Sequence, residues 1–448
     1  MAKFDPNRVL PGTIELVRDA NGNYTTKVVG LETINSLSLP DISTTAAVTK
    51  TDTDTKTATD ITGDTVQKQT QMAFKTGDDN QPDTTGSMLQ DEAKKFFDKE
   101  GGLTNARKVM DNALEGDKDL WQKIVELGWT GIRVPEAYEG LGLGHLELCV
   151  IAEELGRSLA PVPFSSSVYF FTEAIIKFGS EEIKSDLLPK LVSGEAVGTY
   201  GIAEDMHQAT ESNLTVSVTS EKINGVKIAV PDAGMASHMI VVAKSSSGTD
   251  IRLVDLDDAS VTVTQQKNID TSRAFFKVEF KDTPSKLIGE ADQGWTYIQH
   301  LLDQAAVLFA FEQVGGSQAA LDMAKAYSME RFAFGRQIGS YQAIKHKLAD
   351  MYIAVTLAKS NCYYGAWALS SESAELPLAS ATARVSATKA FQLCSKENIQ
   401  THGGNGFTWE YDCHLFYKRS KVLSLNLGSE SSWKEKLVTA MEKTNTLN

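Results

Sequence analysis

Residues 301–351 read LLDQAAVLFAFEQVGGSQAALDMAKAYSMERFAFGRQIGSYQAIKHKLADM. Ala305 to Phe311 is apolar on every side, and small or apolar residues then recur three or four apart at Gly315, Ala319, Met323 and Ala326. That spacing predicts a buried helix. The pattern runs into Tyr327, Arg331, Phe334 and Gly335, where a glycine can break the helix and free backbone N–H groups, and a second helix is expected from about Tyr341. Arg331 or Arg336 can fork onto a phosphate at such a joint while exposed N–H groups complete the cradle.

One acid interrupts the apolar stripe. Glu312 lies in line with Leu301, Ala305, Leu308, Gly315 and Ala319, where a carboxylate leaves water and must be paired or have its pKa raised. A raised carboxylate pKa suits a general base for a carbon acid; the plainer reading is an acid bonded to a neighbouring helix.

Outward from this stretch, the chain divides by pattern. Helical spacing covers Met88 to about Phe97, Ala106 to Leu114, Leu120 to Leu127 and Leu146 to Leu159, with a glycine-rich loop, VPEAYEGLGLGHLE, before the last of them. From Tyr200 to about Leu287 the period falls to two, in short segments such as HMIVVAKSS and FFKVEF separated by turn residues, which predicts a small β domain. Helical spacing then returns to the end, broken at His402–Gly406 and near Gly428. The expected domains are an N-terminal helical domain (86–199), a middle β domain (200–290) and a C-terminal helical bundle (291–448). Ahead of them, Thr13 to Val29 alternates around Asn21-Gly22 as a hairpin would, and residues from about 43 to 85 are rich in Thr, Asp, Lys and Gln, a composition expected to stay disordered.

Composition narrows the function. A net charge of −14, from 44 basic and 58 acidic side chains, argues against wholesale binding of nucleic acid or an anionic membrane. Cys149, Cys362, Cys394 and Cys413 are widely spaced and read as free thiols. The opening MAKFDPNRVLPG lacks the apolar core of a signal peptide, and no apolar run is long enough to span a bilayer, so a cytoplasmic protein is expected. The seven histidines show no i,i+4 pair and no metal spacing, so no metal site is expected, and neither a GxSxG elbow nor a P-loop occurs. The segment Gln400-Thr401-His402-Gly403-Gly404-Asn405-Gly406 can bring backbone close to a ligand phosphate or ring; alone it equally reads as a helix C-cap.

Together, four motifs resemble the acyl-CoA dehydrogenase family over roughly Met88 to Leu437. They are Pro135-Glu136-x-Tyr138-x-Gly140-Leu141-Gly142, Arg331-Phe332-Ala333-Phe334-Gly335-Arg336-x-Ile338, the run from Tyr341 to Met351, and Gln400-x-His402-Gly403-Gly404-x-Gly406-Phe407-Thr408-Trp409-Glu410. The resemblance implies that family's fold: a helical domain, a β-barrel-like middle domain and a C-terminal four-helix bundle. It further implies FAD, oxidation of the α,β bond of an acyl-CoA thioester to the enoyl-CoA, and electrons leaving to an electron-transfer flavoprotein. By position, Arg331 and Phe334 would touch the pyrophosphate and adenine end of the FAD of a neighbouring subunit, with Gln400, Gly403 and Gly404 completing that contribution, so a dimer or tetramer, homo- or hetero-oligomeric, is expected.

Three departures accompany the resemblance. Leu427 stands where the family commonly places its catalytic carboxylate; the family's Thr-Glu-Pro reads Ala203-Glu204-Asp205; its Trp-x-Thr reads Ala229-Val230-Pro231. Some members carry the base on the first long helix of the C-terminal domain, which makes Glu312 the expected base and Glu430 the fallback. The alternative is a non-catalytic subunit that keeps the fold and pairs with an active paralogue.

Overall fold

The computed structural model describes residues 13–18, 24–29 and 84–445. In the N-terminal unit, β1 (Thr13–Arg18) and β2 (Tyr24–Val29) pair antiparallel with Thr13 opposite Val29 and Arg18 opposite Tyr24, the expected hairpin register. The expected turn at Asn21-Gly22 lies outside the described residues, as does the segment expected to stay disordered as far as residue 83.

The second unit begins with helices α1 (Thr84–Lys99), α2 (Leu103–Asp111), α3 (Lys118–Glu126) and α4 (His145–Ser158). Two more follow, α5 (Glu173–Phe178) and α6 (Glu181–Val192), the latter opened by Ser180 accepting from the Ile183 N–H. The sheet domain then runs β3 (Gly198–Gly201), β4 (Ser217–Thr219), β5 (Lys222–Pro231), β6 (His238–Lys244), β7 (Thr249–Asp255), β8 (Val261–Gln266), β9 (Phe275–Pro284) and β10 (Lys286–Ile288). These form one eight-stranded sheet in the order β10-β7-β6-β4-β5-β9-β8, with β3 parallel to β6.

Alternation explains how that sheet sits between helices. In β6, Met239, Val241 and Ala243 point into a core shared with Val278 and Phe280 of β9, while Ile240 and Val242 join the helical core. The sheet therefore curls around its own interior and shows the helices a second apolar face. The path ends at β10 and β8, which pair with β7 and β9, so the barrel-like curl is open.

The quoted stretch begins inside α7 (Gly294–Glu330), 37 residues long, which is followed by a small hairpin of β11 (Phe332–Ala333) and β12 (Arg336–Gln337). Then come α8 (Gln342–Ser370), α9 (Leu376–His402) and the shorter α10 (Cys413–Leu423) and α11 (Glu430–Asn445). Helices α8, α9 and α10 all pack against α7, and α11 packs on α9. Helix α4 crosses α7 at backbone contact: a Cβ on Gly315 would lie 1.8 Å from the Glu153 carbonyl, and one on Gly156 would lie 1.8 Å from that of Glu312. Small residues at both points let the N-terminal helices and the bundle share one core.

A buried ion pair holds α5 in that core. Glu173, 2% exposed, faces Arg133 at 2.9 Å and His145 at 3.3 Å. Burial alone would raise its carboxyl, but the hydrogen bond and charge of His145 together with Arg133 prevail and hold it at about 2. The depressed folded value means this stabilisation is full above the unfolded pKa, 4.5, and is lost as pH falls toward about 2. Glu173→Gln is therefore expected to flatten the acid limb of the stability profile below pH 4.5, measured as the urea midpoint against pH. An acid limb as steep as wild type would contradict this.

Candidate active site

A cleft of about 650 Å³ opens where the sheet domain meets α7 and the turn after α10. From α7 it takes Trp295, Gln299 and Leu302, one stripe at i, i+4 and i+7. Across from them stand Ala203 and Asp205–Ala209 of the loop after β3, Ala229 of β5, and the Lys421–Ser429 stretch with Leu427. Ala229 reaches the cleft because β5 carries an irregularity between Lys227 and Val230, where Ala229 takes φ 50° and turns outward. The positions at which this chain departs from the family pattern, Ala203, Ala229 and Leu427, thus line one cleft.

The loop after β3 is pinned beside the cleft. Glu204 accepts from the N–H and hydroxyl of Thr215, both at 2.5 Å, and from Lys227 Nζ at 2.6 Å, while Lys227 also donates to the Ile202 carbonyl at 3.2 Å. Burial lowers the Lys227 ammonium to about 8 against the opposing pull of Glu204. The loop's far end is tied by Asn213, which donates to the Gln208 carbonyl at 2.9 Å. Opposite, Arg384 is 1% exposed and donates to Gln313 Oε1 at 3.0 Å, to Asn426 Oδ1 at 2.8 Å and to the Leu423 carbonyl. Burial pushes that guanidinium down to about 10. It fixes the turn whose Asn426 and Leu427 line the cleft.

Glu312 is 3% exposed but does not line the cleft. Ten residues beyond Leu302, it lies about 15 Å further along the helix, at the crossing with α4. Its carboxylate sits 3.8 Å from Arg273 and 4.0 Å from Arg419. Arg273 in turn donates to Asp232 and Ser165 at 2.9 Å each, and Arg419 to Asp270 at 2.5 Å and Ser272 at 2.9 Å. Burial raises the Glu312 carboxyl while Arg273 and Arg419 pull it down, with the net shift upward as its apolar setting predicts. Its position joins sheet to helices behind the cleft. Glu430, first residue of α11, follows Ser429 of the lining but pairs with Lys434 at 2.5 Å.

The other expected residues gather on the surface at the far end of α7. Arg331 ends that helix and is exposed; Phe334, at φ 51° and 96% exposed, and Gly335, at φ 81°, make the tight turn between β11 and β12. Gly403 caps α9 at φ 59°, and neither it nor Gly404 has a heavy atom within 4 Å of where a Cβ would stand. Tyr327 joins the two motifs by stacking on His402 at 4.0 Å and accepting from Asn405 at 3.1 Å. Open glycine backbone beside a cation without an ion pair among the described residues is a fitting cradle for a phosphate. The cleft has room for a planar ring system, and the buried Asn268 Oδ1 on its wall has no partner among the described residues.

Among the described side chains of the cleft wall, Asp205 and His207 carry proton-accepting atoms that patterning did not single out. An i,i+2 pair in a loop leaves no periodic trace, and the search for i,i+4 and metal spacings passes over it.

The family description "Acyl-CoA dehydrogenase, N-terminal domain" matches residues 84–195, and "Acyl-CoA dehydrogenase, C-terminal domain" matches residues 292–439. A protein named probable acyl-CoA dehydrogenase YngJ, of Bacillus subtilis, is 28% identical over 360 residues, covering 76% of this chain and 94% of that protein. The fold is similar to that of a glutaryl-CoA dehydrogenase from Mycobacterium smegmatis in complex with FADH2, with a TM-score of 0.74, 18% identity, and coverage of 80% of this chain and 97% of that one. It is similar also to the ChsE4-ChsE5 complex from Mycobacterium tuberculosis, with a TM-score of 0.72, 23% identity, and coverage of 82% and 99%. Matched on both sides of its sheet domain by the family's two helical domains, the chain belongs to the acyl-CoA dehydrogenases, flavoprotein oxidoreductases that act on CH–CH groups.

Proposed function

We propose that the chain binds FAD and an acyl-CoA thioester, oxidises the α,β bond to the enoyl-CoA, and passes the electrons to an electron-transfer flavoprotein. The observation that carries this reading is the cleft itself: positions 203, 229 and 427, which the family aligns with flavin and thioester, line it together with Trp295 and Leu302. When bound, the flavin supplies the two-electron acceptor for the β-hydrogen. The protein's part is to hold the reacting carbons in a dry slot and to take the α-proton. Apolar walls from Ile202, Phe275, Trp295 and Leu302 exclude water, and Arg331, Phe334, Gln400, Gly403 and Gly404 hold the cofactor's phosphates and adenine in a neighbouring subunit.

An oligomer fits the surface. Ile353 and Leu357 on one face of α8 are 54% and 61% exposed, Trp367 is 49% exposed, and Phe407 beside the glycine segment is 84% exposed. Apolar area of this kind marks a contact with another chain. A second reading, a non-catalytic subunit beside an active paralogue, is favoured by Leu427 in place of the carboxylate and by likeness to a complex of ChsE4 with ChsE5.

The full chain reconstituted with FAD is expected to be yellow and to bleach anaerobically with a matching member of an acyl-CoA panel. A chain that binds FAD but bleaches only after co-assembly with a paralogue supports the second reading. A chain that takes up no FAD defeats the first.

A further inference from the structure

Neither Glu312 nor Glu430 stands in the cleft wall, and Leu427 has no proton-accepting atom. The Tyr200 hydroxyl of the wall is driven upward by burial. The carboxylate and the imidazole in the described cleft wall are those of Asp205 and His207.

We propose that His207, oriented by Asp205, is the base that removes the α-proton of the bound thioester; this rests on the acyl-CoA reading above. Asp205 Oδ1 accepts from the His207 backbone N–H at 2.7 Å, and Oδ2 lies 3.1 Å from His207 Nδ1. That backbone N–H and the imidazole hold the Asp205 carboxyl below its usual range, so it is ionised and can only accept. Nδ1 must then carry the hydrogen, which leaves the lone pair of the neutral ring on Nε2. Nε2 has no protein partner among the described residues.

The loop is fixed where this atom is needed. Next to Asp205, Glu204 is clamped by Thr215, Val216 and Lys227. Next to His207, Gln208 packs on the opposite wall, its amide nitrogen 3.1 Å from where a Cβ on Gly428 would stand. Gly428 follows Leu427, so the loop and the turn that carries leucine in place of the family's acid face each other at contact. The imidazole and Leu427 line the same space. The His207 side chain is 82% exposed, and cofactor and thioester bound in the cleft would remove that water.

The step needs no oxidant. The α C–H bond breaks, its electron pair stays on the thioester as the enolate, and the proton moves to Nε2. A bound flavin would supply the two-electron acceptor that the loss of the β-hydrogen requires.

The experiment isolates the first half. The FAD-loaded full chain is incubated in deuterium oxide with 3-thiaacyl-CoAs of increasing length, which have an α-CH2 but no β-hydrogen, and deuterium uptake at the α-carbon is read by mass spectrometry. Flavin absorbance and the perturbation of it by each thioester report binding separately. His207→Gln is expected to slow exchange about 100-fold or more, the scale of a positioned general base, with both binding signals intact. Asp205→Asn, which removes the orienting acceptor, is expected to slow it less, and Asp205→Glu to recover part of the loss. Exchange at the wild-type rate in His207→Gln overturns the proposal. A wild-type chain that binds flavin and thioester yet exchanges no α-hydrogen also overturns it while the binding reading stands. A chain that binds neither overturns both.

Discussion

Arg419→Met is expected to destabilise the folded chain by about 3 to 5 kcal/mol, the cost of removing one partner from a buried charge network. Arg419 is 1% exposed, and its guanidinium joins three segments to α10: Asp270 and Ser272 from the sheet domain, the Leu159 carbonyl after α4, and Glu312 on α7. Methionine fills the space but leaves Asp270 with only local partners and moves Glu312 closer to an unpaired acid. Urea unfolding of the wild type and variant, followed by tryptophan fluorescence, measures the loss. The double variant Arg419→Met, Glu312→Gln should lose less than the two single variants summed, because the second change removes the charge the first one stranded. Additive losses would mean that Glu312 does not share the network. The same Glu312→Gln protein addresses the role expected of Glu312 from the sequence. Loss of α-hydrogen exchange in a chain as stable as wild type would return this acid to the chemistry; loss of stability with exchange retained keeps it as a link between sheet and helices.

Much of the architecture was legible because it rests on local periodicity. The alternation of HMIVVAK produced β6 with its two buried faces, and the apolar run after Ala305 produced a helix that ends at Glu330, just before the hairpin formed at Phe334-Gly335. Helix α6 was missed: it carries Pro189 and a charged surface, so its apolar spacing is weak. Glu312 shows where pattern reading stops. Its burial followed from the stripe, but what it faces depends on Arg273 and Arg419, both far away in sequence, and on a helix crossing set by Gly156 and Gly315. Three substitutions scattered over more than 200 positions meet at one cleft for the same reason: Ala203, Ala229 and Leu427 are joined by the fold and by nothing local.

Arg331→Ala is expected to weaken FAD by about 1.5 to 3 kcal/mol, roughly 10- to 100-fold, the worth of a hydrogen bond from a charged donor to phosphate. Arg331 is exposed at the far end of α7, whereas the cleft is met by Trp295, Gln299 and Leu302 near its start. Thirty-six residues of helix separate Trp295 from Arg331, about 54 Å at 1.5 Å per residue, too far for one chain to hold both ends of a single FAD in this way. The cradle and the cleft must then belong to different chains, and a mixing experiment reads that directly. Ala229→Arg puts a long charged side chain into the cleft but leaves the cradle untouched; Arg331→Ala does the reverse. Each variant purified alone is expected to hold little flavin. Unfolded together, refolded as a 1:1 mixture and given FAD, they should recover about a quarter of the wild-type flavin per chain in a dimer, since half of the dimers are mixed and each keeps one whole site. A mixture no yellower than its parents would place both halves of the site within one chain and remove the reason for the exposed glycines at 403 and 404.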